Sequence, residues 1–282
     1  MALYIYPQST ENESKNLYHN LDIVEQDQLI DIRQLNDISN ISVAFMLTNK
    51  ASVVIKKIKK PQPEELNKWD HIYKHPNIVG FLGIYSIKND TELFLIMPFA
   101  KDGNLREFIE SNTLSFDRKL EIALNITNGI RFLHKNDITH GNINPKNILI
   151  FDGIAKITNL PNKLYIRNKG LYINDGLFEN IGYIDPNSIL NKNYKKHKSM
   201  DIYCLGTLLW EIMSEKIPYS EHQNDGILGL ILKIKGGYRE VDVINNSEYV
   251  NLYNNCWDGN NSIRPKIEDI YNQLLSIMNL KY

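Results

Sequence analysis

The period of the apolar residues changes near residue 97. Before it, apolar residues come in short β-branched runs. After it, they recur at steps of three and four. Ser52-Val-Val-Ile-Lys-Lys-Ile58 is bounded by Asn49 and Pro61, and Leu93-Phe-Leu-Ile-Met97 is too short for a helix, so both read as strands. Between them, Pro63 to Tyr73 reads as a helix, with Pro63 at its start and Glu64 and Glu65 in its first turn. Farther on, Leu120, Ala123, Ile126, Ile130 and Leu133 mark one helical face. Met200 to Met213 is apolar enough for a core helix, and Ile263 to Leu280 carries Ile267, Ile270, Tyr271, Leu274 and Met278 at helical spacing. The expected class is α+β, a small β-rich lobe followed by a larger helical one.

The chain has 282 residues, 43% hydrophobic and 23% charged. That is enough to bury a core without disulfide or metal staples. The net charge of −1 gives no reason to expect nucleic acid or an anionic membrane as partner. Cys204 and Cys256 are the two cysteines, too few for a disulfide framework or a four-thiolate zinc site. The start lacks a basic segment followed by a long apolar run, and no apolar stretch approaches the roughly 18 residues of a membrane span. The expected setting is a reducing cytosol, with no membrane partner. The richness in Asn, Ile, Tyr and Lys reflects AT-rich codons and hints at origin alone.

Several segments carry chemistry. His140-Gly-Asn-Ile-Asn-Pro-Lys-Asn-Ile-Leu149 resembles the catalytic loop of a protein kinase with several residues changed. Val54-Ile-Lys56 resembles the third-strand lysine motif, and His75-Pro-Asn-Ile-Val79 the segment after the lobe-bridging helix. Met97-Pro-Phe-Ala100 resembles the hinge, followed by Gly103-Asn-Leu105. Asp201-Ile-Tyr-Cys-Leu-Gly-Thr-Leu-Leu-Trp-Glu211 resembles the central helix of the large lobe, and Cys256-Trp257 and Arg264-Pro265 close the domain. The resemblance implies a bilobal protein-kinase fold: an N-terminal extension over 1–20 and a pseudokinase domain over 21–280. Within it the N-lobe covers 21–97, the hinge 98–101, and the C-lobe runs from 102 to 282.

Kinase chemistry is mostly positioning and charge stabilisation around a magnesium-bound triphosphate. At the base position this chain has Asn142, and an amide is no base near neutral pH; losing general-base help costs on the order of 10²–10⁴ in rate. Gly141 stands where the family has arginine, and Asn144 where it has the lysine that steadies the transferred phosphate. Asn147, the second-metal asparagine, is kept. Asn159-Leu-Pro161 replaces the metal-binding Asp-Phe-Gly triplet, and an amide oxygen is a poorer magnesium ligand than a carboxylate. Pro161 also removes the freedom that glycine gives that hinge. No glycine precedes Gly80, so the glycine-rich phosphate loop is missing. Lys56 matches the phosphate-orienting lysine, with Glu65, or Glu64 in a register one residue shorter, as its helix partner. It reads either as a residual nucleotide contact or as a strand lysine that sets the helix position. His140 is expected beneath the loop as a structural residue, and Asp201 as the buried cap of the loop backbone. The family's Ala-Pro-Glu motif reads Asp185-Pro186-Asn187, so the usual ion pair of Arg264 survives only if Asp185 substitutes. Trp69, Trp210 and Trp257 are expected in the core. The resemblance therefore implies a chain that is not an enzyme, with no cofactor and no metal.

His140-Gly141 and the Tyr183-Ile-Asp-Pro segment resemble the mixed-lineage kinase domain-like pseudokinase family, which executes necroptosis. That family carries a membrane-permeabilising four-helix bundle before its pseudokinase domain, and some 20 residues are too few to build one. Between Asn159 and Gly182 the hydroxyl side chains are Tyr165 and Tyr172, with no Ser or Thr, so the segment offers no acceptor to receptor-interacting kinase 3, the serine/threonine kinase that switches the family. The expectation is a viral decoy in the host cytosol that binds receptor-interacting kinase 3, blocks phosphorylation of the host executioner and inhibits necroptosis. The alternatives are a scaffold pseudokinase that acts on another kinase and an atypical weak protein kinase.

Overall fold

A computed structural model describes residues 22–34, 40–59, 71–85, 92–160, 180–188 and 197–279. The chain divides into two compact units that meet between Phe99 and Ala100.

The first unit is built on a five-stranded antiparallel sheet. Its strands are β1 (Leu29–Gln34), β2 (Ile41–Met46), β3 (Ala51–Lys59), β4 (Gly83–Tyr85) and β5 (Glu92–Pro98), in the order β1-β2-β3-β5-β4. The two runs read as strands are β3 and β5, each extended by a residue at either end. They pair in register, Val53 opposite Pro98 and Lys59 opposite Glu92. Alternation along β3 sends Val53 and Ile55 to one apolar cluster, with Val24, Leu29, Ala44, Met46 and Ile96. It sends Val54 and Ile58 to another, with Ile84, Leu93, Leu95 and Met97. Residues 71–73 are helical, but most of the expected helix over 63–73, including Glu64, Glu65 and Trp69, lies outside the described residues.

The second unit is mainly helical, with α1 (Leu105–Ser111), α2 (Phe116–Lys135), α3 (Lys198–Ser214), α4 (Gly226–Lys235), α5 (Ser247–Cys256) and α6 (Ile267–Asn279). Asn104 caps α1: its side chain accepts from the Arg106 and Glu107 amides, while Glu107 accepts from the Asn104 amide. Ser115 caps α2 through the Arg118 amide. A hairpin of β6 (Ile148–Phe151) and β7 (Ile154–Ile157) turns at Asp152-Gly153, both with positive φ, as a two-residue turn that matches strand twist requires. α2 packs on α6 and β7, and α3 packs on α5. From Asp201 to Met213 every residue of α3 is buried, so this is the core helix that its composition announced. Trp210 and Trp257 are buried as expected. The last helix starts at Ile267, later than the apolar spacing suggests: Pro265 disfavours helical backbone at Arg264, and Ile263 is exposed. Among the described residues no helix is long and apolar enough to cross a membrane.

Two buried ion pairs brace this unit. Arg106 on α1 donates from Nε and Nη2 to the two oxygens of Glu211 on α3, at 2.9 and 3.0 Å, and the Tyr183 hydroxyl donates to the same carboxylate. Arg264 holds Asp185 in the same forked way.

Candidate functional site

The loop between α2 and β6 is hung from one carboxylate. Asp201, fully buried in the first turn of α3, accepts the His140 amide at 2.9 Å and the Gly141 amide at 2.7 Å. His134 Nε2 lies 2.9 Å from the same side chain. This is the backbone-capping role expected of Asp201; the His134 contact had no sequence signal. Gly141 has φ +68°, so the loop turns sharply at the position where the family has an arginine.

His140 is held beneath the loop. Its Nε2 lies 2.9 Å from the Thr158 carbonyl oxygen, and its Nδ1 lies 3.2 Å from the Asn142 amide nitrogen. A carbonyl can only accept and an amide N–H can only donate. The geometry therefore assigns the proton to Nε2 and leaves Nδ1 as an acceptor. His140 thereby ties the loop to the end of β7.

Asn142, Asn144, Asn147 and Asn159 come together as a knot of amides. Asn144 Nδ2 donates to the Asn142 backbone carbonyl and to its Oδ1, each at 3.1 Å. The Asn144 Oδ1 accepts the Lys146 amide at 3.0 Å and so starts the short 3₁₀ turn Pro145–Asn147. Asn147 Nδ2 donates to the Asn142 carbonyl at 2.8 Å, and Asn147 Oδ1 accepts from Asn159 Nδ2 at 2.6 Å. Asn159 reaches this position from a left-handed backbone, φ +59°, which asparagine tolerates better than most residues. The bond between Asn147 and Asn159 is invisible in the sequence because it joins side chains twelve residues apart across a loop.

Magnesium held here would need charged oxygen ligands, and these four side chains provide neutral amides. One of the amide oxygens that the family resemblance assigns to metal, Asn147 Oδ1, already accepts a hydrogen bond. The knot does not fit a dication. Among the described residues no group of three His, Cys, Asp or Glu side chains is placed to hold a metal ion.

Lys56 lies in β3 of the first unit, between Ile41 of β2 and Leu95 of β5 in the register. Burial holds its pKa below the ordinary lysine value. The expected partner Glu65, with Glu64, lies outside the described residues, as do Pro161, Tyr165 and Tyr172.

The family model for protein tyrosine and serine/threonine kinases matches residues 39–274. The dual specificity protein kinase zakA of Dictyostelium discoideum is 28% identical over 265 residues, 84% of this chain and 33% of its own length. The probable serine/threonine-protein kinase gdt8 of the same organism is 28% identical over 213 residues, covering 69% of this chain and 15% of that protein. Human receptor-interacting serine/threonine-protein kinase 4 is 27% identical over 192 residues, 62% of this chain and 22% of its own length. The chain thus spans a third or less of these relatives. The match corrects one expectation. Asn142 and Asn159 led to a chain that is not an enzyme, yet the matching family is one of kinases and these relatives are named as serine/threonine and dual specificity kinases. The match runs through both units, from β2 to α6, and on it the chain belongs to the protein tyrosine and serine/threonine kinase family.

Proposed function

We propose that this kinase-family domain works by docking onto a serine/threonine kinase of the receptor-interacting class. In this reading it is a viral homologue of the mixed-lineage kinase domain-like family, acting in the host cytosol. It occupies receptor-interacting kinase 3 as a decoy, keeps that kinase from phosphorylating the host executioner and inhibits necroptosis. The observation that carries the reading is the amide knot: Asn142, Asn144, Asn147 and Asn159 satisfy one another and so keep the loop's shape independent of nucleotide and metal. Similarity to human receptor-interacting serine/threonine-protein kinase 4 supports the class of partner. Co-precipitation of the chain with receptor-interacting kinase 3 from cells, read together with executioner phosphorylation, is the test. Capture of the kinase and loss of that phosphorylation are expected. Unimpeded necroptosis on expression rejects the reading.

A second reading is phosphoryl transfer by the chain itself, as an atypical kinase. The names of its relatives favour it, as do Lys56 and Asn147 at their family positions. It predicts metal-dependent ATP turnover that survives purification and disappears in Lys56→Ala.

A further inference from the structure

Three side chains outside the loop just described form a chain of hydrogen bonds. His222 Nδ1 lies 2.9 Å from Asp225 Oδ2, and His222 Nε2 lies 2.9 Å from the Tyr238 hydroxyl oxygen. Lys233 Nζ donates to the same Asp225 oxygen at 2.7 Å. A carboxylate can only accept, so Nδ1 of the neutral ring carries the proton and Nε2 keeps its lone pair. The Tyr238 hydroxyl therefore donates to Nε2. Carboxylate, imidazole and hydroxyl stand in the order that activates a nucleophile: the carboxylate fixes the tautomer and the imidazole takes the proton.

Both ends of this relay are firmly mounted. His222 and Asp225 sit in the turn Ser220–Asp225 that leads into α4. Beyond α4, Gly237 takes φ +97° and the Tyr238 amide donates to the Lys233 carbonyl at 3.0 Å, which folds the chain back along the helix. The Arg239 guanidinium donates to the Tyr238, Ile234 and Trp257 carbonyls and holds the backbone there. The His222 and Tyr238 rings meet edge to face with centroids 5.0 Å apart. Tyr238 is 38% exposed, and a Cβ at Gly237 would meet nothing within 4 Å, so a small reagent can reach the phenol from solvent.

We propose that Tyr238 is a nucleophilic acceptor for acyl groups from activated donors such as aryl esters and acyl phosphates, with His222 as its general base and Asp225 as the residue that positions the base. A phenol suits this role better than an alcohol, because its ordinary pKa of about 10 lies closer to the imidazole value of about 6.5. In the step with an aryl ester, Tyr238 Oη bonds to the carbonyl carbon and its proton passes to His222 Nε2. The bond from that carbon to the aryl oxygen breaks, and the departing aryloxide keeps the electron pair and takes the proton. The products are an acylated Tyr238 and a free phenol, and nothing is oxidised or reduced. This inference is independent of the decoy reading.

Treatment of the full chain with p-nitrophenyl acetate, followed by peptide mapping in a mass spectrometer, tests it. Tyr238 is expected to gain an acetyl group at neutral pH. His222→Gln slows that labelling by about 10²-fold, and free imidazole added to this variant restores part of the rate. Asp225→Asn slows it as well. Wild-type labelling falls as pH is lowered through the ordinary imidazole range, because a proton on Nε2 removes the acceptor. The charged groups around the ring in that titration are Asp225 and Lys233, with Glu240 held on the amide of the neighbouring Tyr219. Equal labelling of Tyr238 in the wild type and His222→Gln overturns the proposal. A loss in His222→Gln that imidazole does not restore assigns His222 to the fold alone and also overturns it.

Discussion

Arg264 grips Asp185 through two hydrogen bonds, Nη1 to Oδ2 at 2.6 Å and Nη2 to Oδ1 at 3.1 Å, with both side chains shut away from water. Asp185, two residues before the position where the resembled Ala-Pro-Glu motif has its glutamate, thus serves as the partner of Arg264. Arg264 also donates to the Asp258 and Ser199 carbonyls, and its guanidinium lies 5.0 Å from the centre of the Tyr203 ring. Removing one member leaves the other buried and uncompensated. Arg264→Met is expected to destabilise the fold by about 3–5 kcal/mol in urea denaturation. Asp185→Leu combined with Arg264→Met should recover much of that loss.

The same pair sets an acid dependence. Burial pushes the Asp185 pKa up, but the hydrogen bonds and charge of Arg264, with the Asn187 contacts, outweigh it and leave the pKa below the ordinary aspartate value. A carboxyl with a depressed folded pKa contributes stability above its unfolded value, about 3.9, and loses it as pH falls through the folded value. Urea midpoints measured from pH 6 downward, in steps through that value, should fall less steeply in the Asp185→Leu/Arg264→Met protein than in the wild type.

His140 should be visible as a single tautomer. Nitrogen-resolved NMR at neutral pH is expected to place the ring proton on Nε2, facing the Thr158 carbonyl. His140→Ala removes both ties and should cost about 1–3 kcal/mol, read as a lower urea midpoint. A spectrum with the proton on Nδ1 contradicts the geometry.

The amide knot predicts a gain of function in binding. Asn159→Asp places a charged oxygen beside Asn147 Oδ1 in place of the donor that now occupies it. Thermal shift with ATP should then show a larger magnesium-dependent increment than the wild type. An equal increment in the two proteins would mean that the knot does not govern metal affinity.

At Gly206, α3 packs tightly against the end of α5. A Cβ there would sit 2.8 Å from the Cys256 Cβ, 2.9 Å from the Trp257 amide nitrogen and 3.0 Å from the Tyr253 carbonyl oxygen. Two of those atoms are backbone, so the helices themselves must part. Gly206→Ala is expected to cost about 1–3 kcal/mol, seen as a lower melting temperature.

Cys204 and Cys256 should resist alkylation in the folded protein. Both thiols are buried, and burial drives their pKa values up, so little thiolate is available to react. Labelling is expected only with unfolding, at a rate that tracks urea concentration.

Much of the fold is local information. The β-branched run of β3, the length of β5, the spacing of α2 and the uniform apolarity of α3 are written in consecutive residues, because strand and helix periods repeat within a few positions. The motif order around His140 and Asp201 likewise points to the kinase family. The changed motif positions misled in one respect: reading Asn142 and Asn159 as the mark of a chain that is not an enzyme ran against the kinase relatives the chain matches.

Local sequence carries the α+β class, the order of its elements and the identity of the loop residues. Tertiary structure alone decided that Asp185 replaces a glutamate for Arg264, that Asn159 turns its amide onto Asn147, and that Gly206 is a contact between helices. Those relationships join residues between 12 and 79 positions apart. Their direction depends on how distant elements pack, and no local period carries it.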